Sequence, residues 1–381
     1  MIQKIRPYIL LVFASFLLLM CKKKYDPPAI TAANNFLVVD GFINANPNEA
    51  TIIVLSRSKN LGDSIPNIPE LHAQVSIVSN SGSSYNLIDV NNSGNYISAT
   101  LNLNASSQYQ IKIITADGHH YVSDMVAVKK SPPIDSLTWT QDSSLTVYLY
   151  AHDPNNNTVY YKWNFIETWE HYSPVQTFWV QNNGIISYAD TTNQIDSCWS
   201  TANSSTIITG TSVSLAQDVI SKAPITTIPR NDVKIKARYS ILVNQIPLTV
   251  DAYNYWSLIQ KNSQELGTLF DPQPSQLTGN IHPITNPNEP VIGYISAAAT
   301  TQKRIFVNNK QLNNWSTLID YPSCDTKIIT PDPLNTFVYT YSDTSYAPWY
   351  YTGFQPLLYI TKKTCIDCRE YGGITKRPSF W

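Results

Sequence analysis

Short runs in which apolar and polar residues alternate, each closed by turn-forming residues, recur along this chain and restrict it to a mainly β fold. Successive side chains on a strand point to opposite faces, so such a run buries one face and wets the other. Ala73-Gln74-Val75-Ser76-Ile77-Val78 and Tyr109-Gln110-Ile111-Lys112-Ile113 alternate cleanly. Phe36–Val39, Thr51–Leu55, Ser84–Leu87 and Asn95–Ile97 add further short strands, and Asp117-Gly118 supplies a tight turn before Tyr121-Val122. Strands at roughly ten-residue spacing predict an antiparallel sandwich of the immunoglobulin or transthyretin-like kind over residues 36–131.

Ser131-Pro132-Pro133 marks a domain boundary, and residues 132–381 are expected to form a second, larger β-sandwich-type domain. Leu145–Tyr150 and Val159–Phe165, either side of the turn His152–Asn157, predict its opening hairpin. Later strands are expected over Lys234–Val243, Val291–Ala297 and Arg304–Val307. Two segments break the pattern. Ser214–Ser221 suits a short helix, and residues 251–266 place Ala252, Tyr255, Trp256, Ile259 and Leu266 on one helical face, with Asp251 as its cap and Gly267 at its end. No internal period of repeat-protein length is visible, which excludes a solenoid or propeller.

The N-terminal residues speak to location. Lys4 and Arg6 precede an apolar run from Tyr8 to Met20, 13 residues long. A membrane-spanning helix needs about 20, whereas a signal-peptide core needs no more than this. The run ends at Cys21, directly before Lys22-Lys23-Lys24. Residues 1–20 therefore read as a lipoprotein signal peptide and Cys21 as the lipidated residue, the other reading being an ordinary secretory signal with a cysteine nearby. Several acyl chains on one cysteine make a stable anchor where a single chain does not. Residues 21–35, with Pro27-Pro28 and no hydrophobic period, read as a lipidated tether.

Charge and motifs narrow the chemistry. Charged residues are only 14% of the chain, 26 basic against 27 acidic, so no phosphate-neutralising face is expected and nucleic acid is not a partner. Glu167-Thr168-Trp169-Glu170-His171 superficially matches a zinc-protease helix, but Glu167 stands where the first histidine belongs. Asp89–Gly94 matches the first half of a calcium loop, yet its twelfth position is Thr100, so a hairpin turn is expected instead. Neither a nucleophile elbow nor a phosphate-cradling glycine loop is present. The expectation is a chain without metal, cofactor or catalytic residues, although a pair of carboxylates needs only spatial proximity and leaves no motif.

Four cysteines follow the lipid site: Cys198, Cys324, Cys365 and Cys368. In an oxidising compartment they predict structural disulfides that pin the C-terminal tail to the domain, with all three pairings open. A redox role for Cys365 and Cys368 would need a βαβ setting, and a zinc site would need a second ligand pair. Aromatic clusters are the remaining candidates for contact with a partner: Trp169, Tyr172 and Trp179 in one stretch, Trp349, Tyr350 and Tyr351 in another. Ala347–Tyr351 is too irregular for a simple strand and is expected to be a loop.

A group of motifs runs through most of the chain: Phe36–Ile43, Ser131–Ser136, Tyr161-Lys162-Trp163, Arg238–Leu242, Tyr255-Trp256, Phe270–Ser275, Gly279-Asn280-Ile281, Cys365–Arg369 with Gly372-Gly373, and Pro378–Trp381. In these the chain resembles a family of Bacteroidota outer-membrane lipoproteins of unknown function, often encoded beside TonB-dependent transporters of the SusC type. The resemblance implies a location and a partner but no active site. The expected function is that of a non-enzymatic outer-membrane lipoprotein, on the cell surface or the periplasmic face, acting as accessory or ligand-capturing partner of a TonB-dependent transporter. The alternatives are an envelope assembly or scaffold lipoprotein without a small-molecule ligand, and a surface hydrolase.

Overall fold

The computed structural model describes residues 35–59, 68–182, 185–190, 194–264, 279–316, 323–330, 345–352 and 357–381. The signal segment, Cys21, nearly all of the tether, the Phe270–Ser275 motif, Leu266 and Gly267 lie outside them. The described chain is mainly β.

The alternating runs behave as their period requires. In Gln74–Ser79, Val75 and Ile77 are buried, and in Gln108–Ile114 Tyr109, Ile111 and Ile113 are buried, while their polar neighbours stay wetter. Leu37–Asn44, Ile52–Arg57, Gln74–Ser79, Ser84–Asp89, Asn95–Ser98 and Gln108–Ile114 join antiparallel neighbours around this core. The Asp89 carboxylate accepts from the N–H groups of Ser93 and Gly94 at 3.0 and 3.1 Å, capping a hairpin turn.

This sheet is not confined to residues 36–131. Ile281–Pro283 pairs with His120–Ser123, and Ala297–Ala299 lies parallel between Leu37–Asn44 and Val126–Lys130. Because Val126–Lys130 also pairs with Gln108–Ile114, the pairings close into a ring of eight strands, leaving few strand edges open to another chain. The late segment fits because its backbone comes very close: a Cβ on Gly293 would stand 2.3 Å from the Val39 carbonyl oxygen.

The second unit is built of two sheets on one core. Ile134–Gln141, Ser144–Asp153 and Asp218–Pro229 form one sheet; Ser197–Asn203, Tyr160–Tyr172, Arg238–Pro247 and Thr301–Asn308 form the other, with Ile208–Thr211 beside Tyr160–Tyr172. Leu145, Val147 and Leu149 from the first meet Tyr161, Trp163, Tyr239 and Ile241 from the second. The hairpin expected between Leu145–Tyr150 and Val159–Phe165 is therefore corrected: the two strands face each other across the core. The Asp153 carboxylate causes the crossing, since it accepts from the N–H groups of Asn155, Asn157 and Thr158 at 2.9–3.1 Å and swings the chain from sheet to sheet. The short helix expected at Ser214–Ser221 is also replaced. From Asp218 the chain is strand, because Asp218 to Ile220 pair with Asp153 to Ala151.

The helix spans Val250–Gln264 and buries Ala252 and Tyr255 as its period requires. Its cap is Thr249, whose hydroxyl accepts from the Ala252 N–H at 3.3 Å, while Asp251 sits in the first turn. Ala252, with Ile246, Leu248, Phe42 and Ala298, makes a small core that joins both β units through the helix. A second weld is polar. Gln245, fully buried, accepts from the Trp163 indole N–H at 3.0 Å and donates to Ser131 Oγ and the Pro132 carbonyl, also at 3.0 Å.

The tail folds back as expected, through Cys198–Cys368 and Cys324–Cys365. Because Cys365 and Cys368 pair with different partners, they do not form a redox couple with each other. Tyr346–Thr352 is a strand rather than a loop. It pairs with Leu357–Lys362 through a register shift between Pro348 and Tyr350, which absorbs the proline's missing N–H.

Turn chemistry can be tested at Gly118, which has φ +85° and open space where a Cβ would go. Gly118→Ala is expected to cost about 1 kcal/mol in urea unfolding, from backbone strain alone. A neutral substitution would show that this hairpin does not need the left-handed residue.

Candidate ligand-binding cleft

Period two decides what lies between the units. On Tyr160–Tyr172 the residues Tyr161, Trp163 and Phe165 face the core, so Lys162, Asn164 and Ile166 face the other way. On Arg238–Pro247, Leu242 and Asn244 share that outer face, and cross-strand register sets Asn164 opposite Asn244 and Ile166 opposite Leu242. In a free-standing sheet these residues would meet solvent. Here the helix and the N-terminal ring stand over them and enclose a cleft of about 670 Å³. Val38 and Asp40 from the ring, Tyr255, Trp256 and Ile259 from the helix, and Gly293 complete its walls. A second cavity of about 150 Å³ adjoins it, lined by Gly41, Phe42, Tyr294 and Ser296 and sharing Asp40, Lys162, Asn164 and Trp256 with the first.

Lys162 sits where the two cavities meet. Its Nζ lies 3.3 Å from the centre of the Trp256 ring, over the face that attracts cations. Burial disfavours the charged amine and brings its pKa down to about 8, with the negative charge of Asp40 opposing the shift. Among the described residues no carboxylate comes within ion-pair distance of it.

Three polar residues lining the cavities also carry atoms short of partners. Asn244 Oδ1 and Ser296 Oγ are buried without a hydrogen bond among the described residues. The Tyr255 hydroxyl is pushed up to about 12 by burial, only partly relieved by the nearby Gly293 backbone. Buried polar atoms in folded proteins are nearly always bonded, and exceptions gather at functional sites. Three such residues line the two cavities that Lys162 shares, which makes this the candidate site for a polar group.

The aromatic residues singled out in sequence lie elsewhere. Trp169 is half-buried against the second core, with Lys234 Nζ 5.3 Å from its ring, and Tyr172 is half-buried on the same strand. Trp179 stacks on Tyr188 at 4.1 Å and meets Tyr351 edge-on at 5.0 Å. Trp349 packs against the Cys365 and Ile366 cluster, while Tyr350 points outward. Thr177 ties two of them together: its hydroxyl donates to the Trp349 carbonyl and accepts from the Trp179 N–H, both at 3.1 Å. The structure thus gathers Trp179, Trp349, Tyr350 and Tyr351 in the disulfide-bonded tail region and leaves Trp169 and Tyr172 outside it.

Glu167 and His171 lie on a strand. The Glu167 carboxylate accepts from Lys234 Nζ and the Tyr239 hydroxyl, both at 2.6 Å, which makes it part of a buried ion pair. His171 Nε2 and Ser200 Oγ are 2.9 Å apart, both buried, and burial lowers the imidazole pKa. Gly373 of the tail packs over that imidazole, and the pair lines neither of the cavities described above, so its role is read as structural.

Lys162, Asn244 and Ser296 were not singled out as candidates in sequence. A lysine or asparagine in a strand reads as an ordinary wet position, and nothing local shows that another unit will cover it. Yet four motifs noted in sequence, Phe36–Ile43, Tyr161-Lys162-Trp163, Arg238–Leu242 and Tyr255-Trp256, all reach this cleft.

No curated protein matches the chain. A family model does, over residues 22–304, a stretch that holds the ring, both walls of the cleft and the helix but stops short of the tail cysteines Cys324, Cys365 and Cys368. The chain therefore belongs to the family described as Domain of unknown function (DUF4249).

Proposed function

We propose that this protein is an outer-membrane lipoprotein, anchored by lipid on Cys21, that captures a small ligand as the non-enzymatic partner of a TonB-dependent transporter in a Bacteroidota envelope. The observation that carries the ligand-capturing part is the cleft between the two β units, where Lys162 is held over Trp256 beside unpartnered buried polar atoms. The N-terminal unit is proposed to be an immunoglobulin or transthyretin-like module, a reading supported by its run of antiparallel pairings through residues 74–123. Anchoring would raise the effective concentration of the cleft near the transporter, so weak capture would suffice.

A second reading, an assembly or scaffold lipoprotein, is favoured by a different surface. Phe178, Ile185, Tyr188 and Tyr350 are exposed near the aromatic cluster of the tail region, the kind of patch that protein partners cover. A pull-down of the tagged, lipidated protein from mildly solubilised outer membranes separates the two. A stoichiometric TonB-dependent transporter is the expected partner. Recovery of the protein alone, or with envelope assembly machinery, would overturn the uptake reading.

A further inference from the structure

The chemistry of the cleft says more about what it can hold. Of the residues lining the two cavities only Asp40 and Lys162 carry charge, and Tyr255 and Tyr294 are the other groups that titrate, both shifted upward. Asp40 is exposed at the rim, whereas Lys162 lies within. The other groups short of partners are the Ser296 and Tyr255 hydroxyls, each able to donate, and Asn244 Oδ1, an acceptor. A cation without an ion-pair partner among the described residues, with two hydroxyls able to donate nearby, makes a receptor for an anion. The rest of the larger cavity is mixed: Val38, Val54, Ile166, Leu242, Ile259 and Ile292 give it an aliphatic side, and uncharged polar residues from Asn203 to Thr206 stand on the other.

From this arrangement we infer that the cleft binds a small monocarboxylate with an apolar body, its carboxylate on Lys162 Nζ where the two cavities meet and its body along the aliphatic wall of the larger one. The inference rests on the cleft being the ligand site and adds the ligand's class. A monoanion fits better than a phosphate or a polyacid, because one lysine offers one positive charge and Asp40 at the rim repels further negative charge. A neutral sugar fits poorly, because the face of Trp256 on which it would stack is covered by the amine of Lys162. The anion in turn needs the amine protonated, so binding favours the charged lysine and takes up protons at pH values where the free amine is partly neutral.

The test uses the mature lipidated protein in nanodiscs, titrated by calorimetry with 4-phenylbutyrate, 4-phenylbutyramide and 4-phenylbutylamine. The carboxylate is expected to bind about ten- to a hundredfold more tightly than the amide, the amine least tightly. Lys162→Met should abolish that preference, and so should raising the pH from 7 to 9.5, while Lys162→Arg keeps it. Leu242→Trp, and separately Ile259→Trp, fill the cleft and should remove binding of every probe while the protein still melts cooperatively. Equal binding of acid and amide, lost in both tryptophan variants, would overturn the anion inference and leave the cleft as a site. Failure of all three probes to bind at millimolar concentration would overturn both.

Discussion

Replacing Cys198 and Cys368 together by alanine should destabilise the protein by about 5 kcal/mol, the chain-entropy value for a cross-link closing a loop of this size. The bond joins positions 170 residues apart, by far the longer of the two disulfide loops. It is also part of a continuous contact. Cys368 N–H donates to the Ile195 carbonyl at 2.8 Å, and Trp199 and Ile374 exchange backbone hydrogen bonds of 2.9 and 3.0 Å. Further along, Trp381 sets its ring edge-on against Trp199 and Phe306, and the Arg238 guanidinium lies 5.3 Å from the same ring. Without the cross-link only those contacts and the Cys324–Cys365 bond hold the tail. Both sulfurs are also buried, so alanine leaves small voids that add to the loss. Two measurements check it: the free energy of urea unfolding, and limited proteolysis read by mass spectrometry, which should release fragments from beyond residue 363. A loss within about 1 kcal/mol, with the tail still resistant, would mean that the bond is redundant with the packing. The Cys324–Cys365 loop of 41 residues should be worth about 4 kcal/mol by the same argument.

The opposite sign is expected at the cleft. Lys162→Met should stabilise the protein at pH 7 by about 2 kcal/mol. An amine held near 8 when folded and at its ordinary 10.5 when unfolded makes the charged form costly to bury, by about 3 kcal/mol. The Trp256 face returns about 1 kcal/mol of that. The sign with pH follows from proton binding. Between pH 8 and 10.5 the unfolded chain holds the proton that the folded one has released, so wild-type stability rises through that window. Below it the cost is present in full. The advantage of Lys162→Met should therefore be greatest at neutral pH and vanish towards pH 10.5, as urea unfolding of both proteins at pH 7, 9 and 10.5 would report. A methionine variant no more stable than wild type at pH 7 would show that the amine is already satisfied in the free protein. A stabilising loss of a polar residue is the behaviour expected where a site is kept for function.

What could be read from the sequence divides along local and non-local lines. The strand Ser144–Asp153 was legible because its alternation is intrinsic, and the helix because Ala252, Tyr255 and Trp256 fall on one face. The partner of each strand was not. Leu145–Tyr150 and Val159–Phe165 look like a hairpin, and only the carboxylate of Asp153, bound to three backbone N–H groups, sends the second to the opposite sheet. The strand expected over Val291–Ala297 forms only from Ala297, and nothing local shows that Ala297–Ala299 will slide between two others. The disulfide pairing was equally hidden, since cysteine spacing does not say which thiols the fold brings together. The cleft was the least legible part. Its groups come from eight separate stretches between residues 38 and 302, each polar member of a strand looking locally like any solvent-facing position.

The interleaving of residues 281–299 with the N-terminal ring also dictates an order of events during synthesis. Leu37–Asn44 leaves the ribosome early, yet its parallel neighbour Ala297–Ala299 is made more than 250 residues later. Until then the apolar edge of an unfinished ring stays open to pairing with other chains, the condition in which nascent β proteins aggregate or require a chaperone. Truncations before residue 299 should therefore be poorly soluble even when they retain every strand of the first 131 residues, and the two β units should mature together instead of one after the other.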